Sequence, residues 1–308
     1  MTSSVVVTGG HTGIGGACTR HLVAAGWHVV VASRDLGRAR HELGPLAGRV
    51  ELRPLDLDSL AAVRDFTELL VASAADRPPL AAVVCNAGVQ IVGAPERSAD
   101  GFERTYAVNH LAHYLLVRRL LPHLATPARV VMLGSGTHDP AQKTGIAPPR
   151  YRGGRALAEP DTETLAAEGP LRTGHRAYST SKLCNILFAY ALAERLRADD
   201  SSTTANAYDP GLVPGTGLAR QYGAAARFLF TRVAPALVPV MKPFFHAQTL
   251  DEAGRNLARM VTEPSLATVS GSYIAGTTPI RSSEESYDTA KQRDLWDESE
   301  RLVQVVGC

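Results

Sequence analysis

The hydrophobic positions along the chain follow two alternating patterns. Short apolar runs rich in valine predict strands, at Ser4–Val7, His28–Ala32, Val50–Leu55, Ala81–Cys85, Arg129–Leu133, Thr203–Tyr208 and Gly271–Ile274. Between these runs, apolar residues at helical spacing predict helices, at Ala17–Ala25, Leu36–Leu43, Ser59–Ser73, Gly101–Leu124, Asp251–Val261 and Thr289–Val306. Such an alternation indicates a parallel sheet covered on both faces. No linker divides the chain, so we predict that residues 1–308 form a single doubly wound Rossmann-type α/β domain with a seven-stranded parallel sheet.

Two segments depart from this pattern. Residues 136–174 are rich in Pro, Gly and Arg and have little periodicity, which predicts a functional insertion. Residues 212–247 contain an apolar stretch that three prolines and three basic residues interrupt, so it is not a membrane-spanning helix. We predict that it is a flexible flap on the substrate side. Packing against the core or a partner subunit, and contact with a membrane surface, are the alternatives.

Composition narrows the class of protein. Hydrophobic residues at 45% and charged residues at 20% describe an ordinary globular protein. The net charge of +2 comes without a basic tract, so nucleic acid is not an expected partner. His110 and His113 lack a cysteine or acidic partner, so no metal site is expected. Four widely spaced cysteines and the lack of a signal-peptide pattern after Met1 predict a cytoplasmic protein without stable membrane insertion.

A glycine cluster follows the first predicted strand. Its pattern is Thr8-Gly9-x-x-x-Gly13-x-Gly15. Gly9 permits a tight turn, and the later glycines allow the backbone to approach a pyrophosphate at the start of a helix. A plain strand-to-helix turn also favours glycine. Because the cluster opens the first βα unit, we predict a cofactor-binding turn, made of Gly9, His11, Thr12, Gly13, Ile14 and Gly15.

The end of the second strand indicates which dinucleotide is bound. Arg34 offers a planar fork suited to a 2′-phosphate, and Ser33 offers a further donor, so NADP (NADPH) is predicted. Asp35 is explained separately as a helix N-cap. Asp56, with Leu57, is placed to meet the adenine, although a capping aspartate explains Asp56 equally well. Small residues at the end of the fourth strand, Asn86, Ala87 and Gly88, are assigned to the cofactor, with a simple turn as the alternative.

A tyrosine and a lysine lie four residues apart before the apolar-periodic segment Ile186 to Leu196. If this segment is helical, Tyr178 and Lys182 share one face. A free tyrosine keeps its proton until roughly pH 10, and a nearby ammonium favours the phenolate. Tyr178 is therefore a candidate for proton transfer near neutral pH. Taken alone, the pair is also compatible with an ordinary helical contact.

Together these motifs resemble the short-chain dehydrogenase/reductase family. The resemblance rests on the glycine turn, Asn86-Ala-Gly88, Asn109 within Tyr106-Ala-Val-Asn-His-Leu-Ala-His113, Ser135, Tyr178-x-x-x-Lys182, and Pro210-Gly211 followed by Thr216. Retinol dehydrogenases and light-dependent protochlorophyllide reductases are particularly similar, through Ser181-Lys-Leu-Cys-Asn185 and Leu295-Trp-Asp-Glu-Ser299. Leu212 occupies the position where the light-dependent enzymes carry a functional cysteine.

The resemblance implies a role for each motif. Tyr178 would protonate the substrate oxygen, Lys182 would assist it and bind the nicotinamide ribose, and Ser135 would hold the oxygen. Asn109 would bind a water that continues a proton relay. The loop with Pro210, Gly211, Val213 and Thr216 would lie beside the nicotinamide.

We therefore predict NADPH-dependent reduction of a carbonyl, or the reverse oxidation, on a bulky and mostly apolar small molecule. The alternatives are reduction of a C=C bond and a non-catalytic NADP-sensing regulator. The family resemblance also implies an oligomer interface formed by the helices at Gly101–Leu124 and Tyr178–Leu196, unless the insertion blocks it, so both a monomer and a homo-oligomer remain open.

Overall fold

A computed structural model describes residues 3–216 and 228–305. Within these residues the strands form one sheet, consisting of β1 Ser4–Thr8, β2 His28–Ser33, β3 Glu51–Pro54, β4 Leu80–Cys85, β5 Arg129–Leu133, β6 Thr204–Asp209, β7 Tyr273–Ala275 and β8 Thr278–Ile280. The strand order is β3-β2-β1-β4-β5-β6-β7-β8. The first six positions have the order of the doubly wound dinucleotide fold. The predicted fold class is confirmed.

The strand count differs from the prediction of a seven-stranded parallel sheet. The sheet has eight strands, because β8 pairs with β7 in the antiparallel direction through a short turn at Gly276. All three residues of β8 are exposed at the sheet edge. An edge strand of this length buries no apolar face, so it leaves no hydrophobic pattern in the sequence.

Ten α-helices cover the sheet in the described part of the chain. They are α1 Gly13–Ala24, α2 Leu36–Leu43, α3 Leu60–Ala72, α4 Arg104–Tyr106, α5 Ala112–Leu120, α6 Gly154–Leu157, α7 Thr162–Ala198, α8 Ala234–Phe245, α9 Leu250–Thr262 and α10 Thr289–Val305. The single helix predicted at Gly101–Leu124 is divided, because a π-helical turn at Ala107–Leu111 joins α4 to α5. Val306, the predicted end of the last helix, lies outside the described residues.

Side chains alternate between the two faces of the sheet and build two cores. On one face, Val5 and Val7 pack with residues of α1 and α9. On the opposite face, Val6, Met132 and Ala207 pack with residues of α3, α5, α7 and α10. Because the first seven strands are parallel, their carboxyl ends meet at one edge, where ligands bind in open α/β sheets.

Helix α7 is enclosed by the rest of the chain. It bends at Gly169, whose φ is +78°, and Pro170 follows. Every residue from 178 to 193 is buried. On its outer side, the Trp296 ring of α10 stacks on Phe188 at 5.7 Å and meets Tyr114 of α5 at 5.4 Å.

The predicted insertion also covers α7. The Ser179 hydroxyl donates to Ala147 O at 2.8 Å, and the Arg150 amide donates to Thr180 Oγ1 at 2.9 Å. Further along, the Tyr151 hydroxyl donates to Asp294 of α10 at 2.7 Å. The segment is thus ordered against two helices of the domain.

The predicted flap is helical where it is described. A π-helical turn at Leu229–Val233 leads into α8. Exposed apolar side chains include Phe228 and Leu229, at 63% and 58% exposure, as well as Leu237. These side chains do not pack against the core. Residues 217–227 and the side chains of Phe230 and residues 240–245 lie outside the described part. Within residues 3–216 and 228–305, no helix has the length and apolar character needed to cross a membrane.

Candidate functional site

The turn between β1 and α1 fits a phosphate. Gly9 and Gly13 have φ of +63° and +59°, a region that favours glycine. A Cβ at Gly13 would meet nothing within 4 Å, so the turn is open there. Thr12 makes no side-chain capping hydrogen bond to α1, which leaves the first N–H groups of the helix to an anion. Glycine is needed at position 15 for a different reason, because a Cβ there would lie 2.4 Å from Asn86 Nδ2. His11 and Ile14 complete this turn.

The residue after β2, Arg34, is a candidate for the phosphate contact. Arg34 is exposed, and Asp35 is the N-cap of α2, accepting from the Arg38 amide at 2.9 Å. The capping role predicted for Asp35 is confirmed. Ser33 is buried, and its hydroxyl donates to Asp35 O at 3.2 Å, so that proton is engaged within the loop. Arg38, in the first turn of α2, is a second cation near this strand end that the motif analysis did not single out.

Two further predicted cofactor segments follow strands β3 and β4. Asp56 Oδ1 accepts from the Asp58 amide at 3.1 Å, and Leu57 is buried, so the aspartate caps its own loop. After β4, the Asn86 amide group donates to Thr8 O at 2.9 Å, and the Ala87 N–H donates to Thr8 Oγ1 at 3.0 Å. These bonds join the ends of β1 and β4, which places Asn86 and Ala87 beside the glycine turn.

Tyr178 and Lys182 lie on one face of α7, as predicted. The Lys182 ammonium is 5.5 Å from the centre of the Tyr178 ring, and its Nζ donates to Leu133 O, at the end of β5, at 3.2 Å. The Asn185 amide donates to the same carbonyl at 3.1 Å. Burial lowers the pKa of Lys182 to about 8, and the negative charge of Asp209 opposes this shift.

Asn109 lies in the π-helical turn and braces the loop after β4. Its amide accepts from Val89 N at 2.7 Å and donates to Val89 O and to Ser181 Oγ, both at 2.9 Å. A Cβ on Gly88 would lie 3.1 Å from Asn109 Oδ1 and 3.8 Å from Lys182 Nζ. The structure therefore brings Asn109, Gly88 and Lys182 together. The water relay implied for Asn109 remains a prediction.

His113 links this brace to the glycine turn. Its Nδ1 is 3.1 Å from Asn109 O, and its Nε2 is 2.9 Å from Thr8 Oγ1. A carbonyl can only accept, so Nδ1 carries the proton and Nε2 accepts from Thr8. Burial lowers the pKa of His113 to about 4, which keeps the ring neutral. His110 points elsewhere, to Ser299 Oγ at 3.0 Å, so the two histidines do not converge.

Ser135 follows β5 and is held by its own loop. Its hydroxyl oxygen accepts from the Thr137 amide at 3.3 Å and from the Thr137 hydroxyl at 3.2 Å. Both bonds use the oxygen as acceptor, so they leave the serine proton available to a further acceptor. The carbonyl of Ser135 contacts His138 Nδ1 at 2.6 Å, and His138 Nε2 accepts from the Ser283 amide at 3.0 Å.

The loop after β6 is a compact turn. Gly211 has φ of +65°, and a Cβ there would lie 2.2 Å from His246 O. Val213 and Thr216 are buried, and the Thr216 hydroxyl donates to Val213 O at 3.1 Å. Pro210 O accepts from the Gln248 amide group at 2.9 Å. The loop is thus fixed to the segment that follows the flap.

Sequence reasoning missed three residues of this region. Thr8 and His113 stood inside quoted motifs, but only the three-dimensional pairing of β1 with α5 shows that they bond to each other. Asp209, which precedes Pro210 and Gly211, was assigned no role from the sequence. No group of three metal-ligating side chains converges in the part of the chain that the structure describes.

Comparison with known proteins identifies the class. The family model described as short chain dehydrogenase matches residues 3–147. Chloroplastic protochlorophyllide reductase B of Hordeum vulgare is 36% identical over 322 residues, covering 98% of this chain and 79% of that protein. An uncharacterized protein from Mycobacterium paratuberculosis has a TM-score of 0.68 and 27% identity, covering 99% of this chain and 94% of that chain. A Pseudomonas aeruginosa RhlG/NADP complex has a TM-score of 0.63 and 22% identity, covering 89% of this chain and 94% of that chain.

The chain belongs to the short-chain dehydrogenase/reductase family. The predicted resemblance and the predicted class of enzyme, an oxidoreductase of this family, are confirmed.

Proposed function

We propose that the protein uses NADPH to reduce a carbonyl group on a bulky, mostly apolar small molecule, or oxidises the corresponding alcohol. One observation carries this proposal. The Lys182 ammonium lies against the Tyr178 ring and is anchored on Leu133 O, two residues before Ser135. This contact supports the pairing of a proton donor with a cation at the sheet edge where the fold binds ligands, and Ser135 follows on the same strand end.

The chain's own residues divide the proton chemistry. The bound cofactor supplies hydride to the carbonyl carbon. Tyr178 donates a proton to the carbonyl oxygen, and the Lys182 cation favours the phenolate that remains. Ser135 donates a hydrogen bond to the oxygen as negative charge develops there. Asn109 and His113 hold the loop and helix that carry these groups in place.

The residues present fit NADPH. The open turn at Gly13 and the uncapped start of α1 suit the pyrophosphate, and exposed Arg34 suits a 2′-phosphate. An ammonium has three N–H donors, so Lys182 keeps two for the ribose hydroxyls after its bond to Leu133 O. The loop from Pro210 to Thr216 would face the nicotinamide.

The flap supports an apolar substrate. Its α8 lies against the loop after β6, since a Cβ on Gly215 would be 3.6 Å from Pro235 Cγ. The exposed side chains of Phe228, Leu229 and Leu237 are available to cover an apolar ligand and exclude water.

Similarity to protochlorophyllide reductases favours a second candidate, NADPH-dependent reduction of a C=C bond. Leu212 stands where the light-dependent enzymes carry a functional cysteine, so protochlorophyllide itself is not the proposed substrate.

A screen of hydrophobic ketones and aldehydes, in which the oxidation of NADPH is monitored, tests the proposal. Turnover of at least one carbonyl compound is expected, and Tyr178→Phe is the matched control because it retains the aromatic ring. NADPH binding without turnover of any carbonyl compound would contradict the proposal.

We also propose a monomer in the cytoplasm. The helix that would form an oligomer interface, α7, is buried by the insertion and by α10 of the same chain. Light scattering after size exclusion should give the mass of one chain, and a dimer mass at micromolar concentration would contradict this. Cell fractionation would test the location.

A further inference from the structure

Asp209 is a buried carboxylate that the chemistry above does not use. It ends β6, is 6% exposed, and accepts from the Gly211 amide at 2.8 Å. A turn aspartate of this kind is usually at the surface, where water solvates its charge. Here the charge lies inside the protein, where an unpaired carboxylate is costly.

The register of the sheet places Asp209 on the side of α7. Leu133 of β5 pairs with Tyr208, so Asp209 is one position beyond the carbonyl that anchors Lys182. Tyr208 belongs to the core formed with α1 and α9, whereas Ala207 belongs to the core formed with α7. Because successive strand residues point to opposite faces, Asp209 shares the face of Ala207, and thus of α7.

The chain is tightly packed on this side of the sheet. Gly134 follows Leu133, and a Cβ there would be 3.0 Å from the Tyr273 ring and 3.7 Å from Ile186 of α7. Electrostatic effects in such a packed interior are stronger than at the surface.

The titratable groups around the pair come from every neighbouring element. Lys182 lies against the Tyr178 ring on α7 and interacts electrostatically with His113 on α5 and with Asp209 on β6. Asp209 also acts on His138 after β5, on Tyr208 and on Tyr273 of β7. Burial lowers the pKa of both histidines, so neither supplies a competing cation near neutral pH.

We propose that Asp209 is a positioning residue whose buried carboxylate keeps Lys182 as an ammonium ion at neutral pH. Burial alone favours the neutral amine, and a neutral lysine would neither favour the Tyr178 phenolate nor offer three donors. The effect of Asp209 on turnover rests on the proposed function, whereas its effect on the charge of Lys182 does not.

A direct test uses the small number of lysines. The chain has four, Lys143, Lys182, Lys242 and Lys291, so protein labelled with ¹³C at lysine Cε gives four signals. Lys182→Arg identifies the signal of Lys182, and its titration gives the pKa. In Asp209→Asn, which keeps an acceptor for the Gly211 amide, this pKa should fall by about 1 to 2 pH units. Asp209→Ser serves the same comparison if the amide variant does not fold.

Two matched variants separate charge from packing. Asp209→Glu keeps the charge and should retain most of the lysine pKa. Asp139→Asn removes a carboxylate that caps a nearby turn and should leave it unchanged. An unaltered Lys182 pKa in Asp209→Asn would overturn the proposal.

Turnover gives the second measurement. For carbonyl reduction, the alkaline fall in kcat should begin about 1 to 2 pH units lower in Asp209→Asn than in the parent protein, following Lys182. A uniform drop in kcat at all pH values, with no displacement of the alkaline limb, would assign Asp209 a merely structural role. If the parent protein reduces no carbonyl compound, the proposed function fails, while the lysine titration still decides the role of Asp209.

Discussion

Replacing Lys182 by methionine should change how stability depends on pH. The lysine is 2% exposed, and its pKa is lowered from 10.5 to about 8. Below pH 8 the ammonium is present in both the folded and unfolded states, and the folded state bears the full cost of burying it. Above pH 10.5 the amine is neutral in both states, and this cost is gone.

The pKa difference sets the size of the effect. At about 1.4 kcal/mol per pH unit, a shift from 10.5 to about 8 corresponds to roughly 3 kcal/mol of stability lost at neutral pH. Methionine is an unbranched, apolar replacement and carries no such cost. Leu133 O is not left without a donor in the variant, because Asn185 still bonds to it at 3.1 Å.

Urea unfolding of both proteins at several pH values between 7 and 10 measures this effect. The stability of Lys182→Met relative to the parent protein should fall by roughly 2 to 3 kcal/mol over that range. The comparison largely cancels the contributions of the other titrating groups. A stability difference that stays constant with pH would falsify the assignment of a low pKa to Lys182.

Three further substitutions test the proton donor, the phosphate contact and the packing of the insertion. Tyr178→Phe should lower kcat about 10² to 10⁴-fold with nearly unchanged NADPH affinity, since it removes only the transferable proton; unchanged turnover in steady-state assays would refute that role. Arg34→Ala should weaken the binding of NADPH, measured by calorimetry, by about 10 to 100-fold through the loss of charged hydrogen bonds. The binding of NADH should weaken far less, and equal losses for the two cofactors would contradict a phosphate contact. Gly174→Ala should lower the free energy of unfolding in urea by about 1 to 3 kcal/mol, because the new Cβ would lie 1.9 Å from Ile91 O. Gly93→Ala is the control, since a Cβ there would meet nothing within 4 Å. Equal effects of the two substitutions would contradict the clash.

The sheet could be predicted because its central strands are apolar on both faces. The valine runs of β1, β2 and β4 are fully buried, and this burial is what the sequence pattern records. Strand β8 is exposed and the π-helical turn at Ala107–Leu111 keeps an apolar spacing, so neither feature leaves a distinct pattern.

The sequence predicted those site residues that belong to a local motif. It did not predict which side chains form hydrogen bonds with each other across the tertiary structure. Tyr178 and Lys182 follow from helical spacing. The pairing of His113 with Thr8 and the placement of Asp209 near Lys182 depend on strand register, which single residues do not specify. Ser33 was predicted as a donor to the phosphate because it carries a hydroxyl, but in the structure this hydroxyl donates to the carbonyl of Asp35.

The central claim is carbonyl reduction, and an α,β-unsaturated ketone tests it most directly because one molecule offers both reducible groups. Incubation of a hydrophobic enone with the protein and NADPH, followed by NMR analysis of the product, shows which bond received the hydride. We predict the allylic alcohol, formed by the parent protein and not by Tyr178→Phe. A saturated ketone as the product would contradict the claim and assign the protein to C=C reduction.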